Sequence, residues 1–252
     1  MSATLSYVFC LVRSARRPVL RGISDGMPGG DELRAIEVGD GLWAIVQTVP
    51  AADYAEAALT QGLQNLDWVG PRAIAHERVI ESFLSAAALL PMQLFTLFTS
   101  DERVADHVRS DRARIGRILK RVEKKVEWGL RLTFNEKAAR EKAAKRPARS
   151  GTEFLARKRD VLDVGRKQLA EARTAANRVY KAIGRKAAAS QRRTSLERAA
   201  PGSRLLLDAA FLVPVAKSGA FKSVIREQTR RLRGTGIDTS LTGPWPAYNF
   251  IQ

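Results

Sequence analysis

One cysteine, two histidines and few aromatic residues are spread over 252 positions, and each scarcity removes a class of explanation. Cys10 alone cannot build an internal disulfide framework, which fits a reducing compartment. Lying in an apolar run, it reads as a buried and inert thiol. His76 and His107 fall on expected helices without the spacing of a metal site, so neither a metal nor a cofactor is expected. No glycine loop with its lysine is present to cradle a phosphate, and "RGTGIDTS" at 233–240 reads as an ordinary loop. Glu81, Glu123 and Glu127 are scattered carboxylates on helix or strand faces, not an acid/base pair. With no nucleophile, base or metal set, the sequence points away from an enzyme.

Long apolar runs are also missing. Leu5 to Val12 is short, has no basic residue before it and is followed by Arg13, Arg16 and Arg17, unlike a secretory signal. The longest uncharged run, 82–100, is interrupted by Pro91, Gln93, Thr96 and Thr99, so no transmembrane segment is expected and the protein is expected in the cytoplasm. Acidic residues are scarce in one part only. Residues 1–100 hold 7 Lys/Arg against 10 Asp/Glu, whereas 101–252 hold 36 against 16, balances of −3 and +20. This asymmetry suggests an anionic partner for the second half. One alternative function follows from it, a basic nucleic-acid-binding protein acting through its C-terminal half. Against that, the cations are interspersed with carboxylates opposite an apolar stripe. Aromatic residues do not interleave them, and no helix-turn-helix or zinc-finger spacing is present, so nucleic acid is not the expected partner.

What is there reads as α+β. "LSYVFCLV" (5–12), "ELRAIEV" (32–38) and the run opened by Asp40-Gly41 predict three strands, the last two joined as a hairpin. Asp53 and Glu56 cap a helix through "YAEAALTQGLQNL", and Pro71 restarts one through "AIAHERVIESFLSAAA". Pro91 breaks that pattern, and 92–98 alternates like a strand. A basic helix follows, with Val104, Val108, Ile115, Leu119, Val122 and Val126 at helical spacing, and 126–134 then alternates as a strand. Residues 1–135 are thus expected to form an N-terminal α+β domain, ferredoxin-like or split-βαβ in its sheet. A charged linker, 136–150, precedes a C-terminal α+β domain at 151–252. The latter opens with a long amphipathic helix, where Leu155, Leu162, Leu169, Ala176 and Ile183 recur every seventh residue. A strand (204–214), a short helix and a final strand complete it.

The chain nearly closes on "TGPWPAYNF" (242–250), an extended arm rich in groups that want burial. Trp245, Tyr248 and Phe250 are expected to clamp it onto the second domain, with Trp245→Ala costing roughly 3–5 kcal/mol. This ending, with Gly243, Pro244, Trp245, Pro246, Tyr248 and Phe250, closely resembles the C-terminal signature of the gas vesicle protein L and F family. "VEWGLRL", carrying Glu127, Trp128 and Gly129, resembles the family's Glu-Trp-Gly strand. The helix followed by Leu90-Pro91, "GTEFLARKR" and "LLLDAAFLVP" resemble further family stretches in the same order. After the Leu-Pro pair family members often carry Arg and then Phe-Gly, where this chain has Gln93, Leu94 and Phe95. The resemblance implies a two-domain, non-enzymatic accessory protein of gas vesicle assembly. Its implied partners are the hydrophobic shell protein and other accessory proteins, and its implied location is at the gas vesicle. It leaves the signature residues with a structural role.

Overall fold

The computed structural model describes residues 3–23, 25–39, 41–135, 151–194 and 201–251, and within the long helix the side chains from residue 165 onward. The expected linker at 136–150, Asp40, the side chains of Leu155 and Leu162, and part of the basic arm near 185–200 lie outside the described residues. The chain divides into two units. Residues 1–126 and 245–252 form the first, and 127–244 the second.

In the first unit β1 (Thr4–Arg13) is the middle of a sheet ordered β2-β3-β1-β4, where β2 is Arg34–Gly39, β3 is Leu42–Pro50 and β4 is Ala88–Pro91. A two-residue strand, β5 (Leu97–Phe98), pairs with the start of β1, and every pairing is antiparallel. The β2–β3 hairpin forms where expected, with Gly39 and Gly41 at φ of 115° and 66°, values that L side chains avoid. β3 lies between β1 and β2, but no helix joins β1 to β2, unlike a split-βαβ unit. Residues 14–33 hold Pro18, Pro28 and four glycines, a composition that opposes a helix. Ser6 to Val12 are buried consecutively, so both faces of the sheet are covered. A bulge between Val8 and Cys10 shifts the alternation, which puts Tyr7, Phe9, Cys10 and Val12 into one core with Val79 and Ile80.

Three helices follow β3: α1 (Ala51–Tyr54), α2 (Glu56–Gly62) and α3 (Leu66–Glu81). α3 does not restart at Pro71. Asn65 is the cap, its side chain accepting the Asp67 N–H at 2.9 Å, and Pro71 is carried inside the helix at the cost of one backbone bond. The next strand also moves. Its residues are Ala88–Pro91, paired with Cys10 to Arg13, because the ladder loses its donor at Pro91 and 92–96 loops out. Phe95 adopts φ 64°, at the position where the resemblance implies glycine. The basic helix is two, α4 (Asp101–Ser110) and α5 (Arg112–Val122), broken at Asp111; Ser100 caps α4 by accepting from the Arg103 N–H.

The second unit has a sheet ordered β7-β8-β6-β9, with β6 at Lys125–Asn135, β7 at Ala189–Arg192, β8 at Ser203–Pro214 and β9 at Ile237–Trp245. Two corrections follow. β6, expected to close the first domain, is an inner strand of the second sheet. The short polar β7 pairs with β8 where no strand was expected, because four residues with no large apolar member carry no periodic signal. The long helix α6 (Gly151–Gly184) buries Ala172, Ala176, Val179 and Ile183 in its described part, and α7 (Ser218–Arg230) buries Phe221 and Ile225. Phe211 of β8 lies between the rings of Tyr180 and Phe221, at 5.8 and 5.7 Å.

Candidate functional site

A cleft of about 600 Å³ opens in the first unit. Its walls come from α3, from the end of β4 with its loop, from α4 and α5, and from the C-terminal tail. Leu90, Met92, Leu94, Val108 and Ile115 make it largely apolar, while His76, Glu77, His107, Arg114 and Tyr248 supply the polar groups.

His76 is buried and fully engaged. Its Nε2 lies 3.2 Å from the Met92 carbonyl, which only accepts, so Nε2 carries the proton. Nδ1 therefore accepts from the Tyr7 hydroxyl at 2.8 Å, and that hydroxyl accepts the Phe95 N–H at 3.1 Å. Phe9 stacks on the imidazole with centroids 5.8 Å apart. Burial drives the His76 pKa down to about 4, with the Met92 hydrogen bond opposing, so the ring is neutral near pH 7. The histidine is a clamp on the 92–96 loop, not a free base. Cys10 is buried and its thiol is pushed well above the ordinary range by desolvation, which leaves no reactive thiolate.

Glu77 stands in a different position. Its Oε2 accepts from the Tyr248 hydroxyl at 2.7 Å, and among the described residues no ion pair neutralises it. Desolvation raises its pKa, the Tyr248 hydrogen bond opposes that, and the neighbouring charge of Glu81 adds to it. Burial, with the Glu77 carboxylate, also pushes the Tyr248 phenol upward. At the start of α4, Asp101 accepts from Arg34 through both oxygens, at 2.8 and 2.7 Å, and from Ser6 at 2.6 Å. The Arg34 hydrogen bond, against desolvation, holds its carboxyl below the ordinary value. This network ties the start of α4 to the sheet and so fixes one wall of the cleft.

The signature residues separate into two groups. Leu90 and Pro91 pair with Leu11 and Cys10 and line the cleft together with Tyr248. Pro246 and Phe250 are buried, and the Phe250 carbonyl accepts from Arg121 at 3.3 Å. The tail from Trp245 onward thus belongs to the first unit, not to the second as expected. Trp245 is 38% exposed and is no core anchor, so its expected cost of removal does not hold. The strand ends at Trp245, just before Pro246, and the smaller Ala247 and Phe250 take the buried positions instead.

Glu127, Trp128, Gly129, Gly243 and Pro244 fall in the second unit. Glu127 and Trp128 are buried, and Lys222 lies 5.5 Å from the centre of the Trp128 ring. A Cβ on Gly129 would meet Thr242 Oγ1 at 2.6 Å and Arg193 Nη2 at 3.1 Å, so a larger residue there must displace those side chains. Beside it, Asp208 is buried in β8 and accepts from Arg131 Nη2 at 3.0 Å and Arg193 Nε at 2.8 Å. Desolvation would raise the Asp208 pKa, but hydrogen bonds from Arg131 and Arg193 prevail and lower it. The sequence reading missed this centre; its signal was a lone aspartate inside the apolar run "LLLDAAFLV". Among the described residues, no group of three or more His, Cys, Asp or Glu is placed to hold a metal, and no helix is long and apolar enough to cross a membrane.

The comparisons with known proteins agree on one family. A gas vesicle protein L from Streptomyces sp. (strain CB03234) is 30% identical over 253 residues, spanning 98% of this chain and 92% of the relative. The crystal structure of the gas vesicle protein GvpF from Anabaena sp. PCC7120 superposes with a TM-score of 0.69 at 12% identity, over 99% of this chain and 96% of that one. GvpF from Microcystis aeruginosa gives 0.66 at 12% identity over the full length of both. At that identity the two crystal structures establish the α+β fold with its two sheets. Residues 5–252 match the family described as gas vesicle synthesis protein GvpL/GvpF, and the chain belongs to that family.

Proposed function

We propose that this protein is a non-enzymatic assembly factor of gas vesicles, acting in the cytoplasm by binding the hydrophobic shell protein and other accessory proteins. A subunit that builds a wall with an apolar, gas-facing side aggregates when left free, so a binder must shield it. The observation that carries the reading is the half-open apolar cleft of the first unit, where Leu90, Pro91 and the tail residue Tyr248 meet. Family membership supplies the vesicle; the cleft supplies a surface suited to an apolar segment. Met92 and Leu94 line the cleft and are partly exposed, so charge placed there alters the surface without entering the core. The full-length double variant Met92→Asp/Leu94→Asp is expected to capture roughly tenfold less shell protein in co-purification. Undiminished capture by a folded variant would reject the cleft as the shell-binding site.

A second contact is favoured by the distribution of charge. Residues 127–244 hold 27 Lys/Arg against 11 Asp/Glu, a balance of +16, which leaves +1 for the rest of the chain. The second unit therefore docks acidic accessory partners by charge, and such complexes are expected to weaken steeply as salt rises. Tight, salt-sensitive binding to DNA or RNA in the absence of vesicle proteins would instead support the nucleic-acid alternative.

A further inference from the structure

α3 carries two large exposed apolar side chains, with half-buried small residues between them. Leu66 is 85% exposed and Ile74 54% exposed, and Leu63, just before the helix, is 56% exposed. At 100° per residue, Leu66, Gly70, Ala73, Ile74, Glu77 and Glu81 share an arc of roughly 100°. Gly70 has no neighbouring atom within 4 Å of where a Cβ would stand, so nothing packs on the middle of the stripe. Small residues there let another backbone approach closely, between two large side chains that grip it.

The stripe ends in two carboxylates. Glu77 and Glu81 are spaced i,i+4, a like-charge arrangement that is unfavourable on a helix. Among the described residues neither forms an ion pair, and Glu77 accepts from the Tyr248 hydroxyl at 2.7 Å. Arg78 stands on the same helix but makes no ion pair to either carboxylate among the described residues, so the pair beside an exposed apolar stripe is open to a cation from outside. Glu77 also lines the cleft, which makes the stripe and the cleft one continuous surface.

We infer that the α3 face from Leu66 to Glu81 docks an amphipathic helix of the shell protein, one whose apolar stripe is bordered at one end by lysine or arginine. This deepens the shell-binding reading and rests on it. The partner's apolar side chains cover Leu66 and Ile74 and approach Gly70 and Ala73, while its cation pairs with Glu77 and Glu81.

The test uses the full-length protein and two variants, Leu66→Ser/Ile74→Ser and Glu77→Gln/Glu81→Gln, whose folding is checked by circular dichroism. Probe one is a labelled amphipathic peptide of about 18 residues with a leucine stripe edged by lysine, and its twin has glutamate in place of lysine. Fluorescence anisotropy is expected to show binding of the lysine peptide, weakened about tenfold by the serine pair and about fivefold by the glutamine pair, with the glutamate twin weaker throughout. Equal affinities for the two peptides, or for the wild type and both variants, would overturn the proposal. Probe two is the shell protein itself. If the wild type captures it and both α3 variants do so undiminished, the α3 proposal fails and the shell-binding reading stands. If the wild type captures none while the peptide pattern holds, the shell-binding reading fails and the specificity of the α3 face for a basic amphipathic helix stands.

Discussion

Gly129→Ala is the sharpest probe of how the second unit is held together. The new Cβ would lie 2.6 Å from Thr242 Oγ1, about 0.8 Å inside ordinary contact, and 3.1 Å from Arg193 Nη2. Overpacking of this kind costs about 1–3 kcal/mol. Displacing Arg193 also weakens its bond to the buried Asp208 carboxylate, a further loss of about 1 kcal/mol after allowing for the part-exposed arginine. Replacing glycine with alanine restricts the unfolded chain and returns roughly 0.4–1 kcal/mol. The net expectation is a loss of about 2 kcal/mol. Thr242→Ala removes the clashing oxygen, so the double variant is expected to recover more than half of that loss, a coupling that additivity would not give. Hydrogen exchange read by mass spectrometry suits a chain of two units, since it does not require unfolding in one step. Amides in β6 and β9 are expected to exchange roughly 30-fold faster in Gly129→Ala. Exchange at the wild-type rate, or a double variant no slower than the single, would refute this account of the glycine.

Three further outcomes are expected. Phe250→Ala should cost about 3 kcal/mol in the first unit, whereas Trp245→Ala should cost about 1 kcal/mol, given 6% against 38% exposure; thermal melts giving the reverse order would place the tail wrongly. Phe95→Gly should be about 1 kcal/mol more stable than Phe95→Ala, because both lose the ring packed 5.5 Å from Trp68 but only glycine relaxes φ 64°; equal denaturant midpoints would contradict it. Glu77 has a pKa raised by desolvation, so the folded state binds its proton more readily than the unfolded chain and wild-type stability gains as pH falls from the raised value toward 4.5. Glu77→Gln should therefore melt above wild type at pH 7, with the gap closing on acidification, and a gap that widens instead would mean that a cation stabilises the carboxylate.

Local pattern was legible wherever one residue type dictates one geometry. The hairpin around Gly41, the alternation of β6 and the apolar run of β8 are all read from neighbours in the chain, and the structure has each. So was the helical stripe of α4 and α5, although the break at Asp111 was not, because apolar spacing continues across it while the backbone turns. The grouping of the residues singled out in the sequence was not legible. Leu90, Pro91 and Tyr248 share one cleft although over 150 residues separate Pro91 from Tyr248, and the Glu77–Tyr248 bond spans 171 positions.

By itself, then, the sequence determined the α+β class, many of the elements, the family and the excess of cations, since each depends on composition or on spacing within a few residues. Tertiary structure alone decided that β6 serves the second sheet, that the tail returns to the first unit, and that +16 of the charge lies in residues 127–244. The reason is physical: strand partners and buried aromatic sites are chosen by which distant surfaces complement one another, and that choice leaves no periodic trace in the chain.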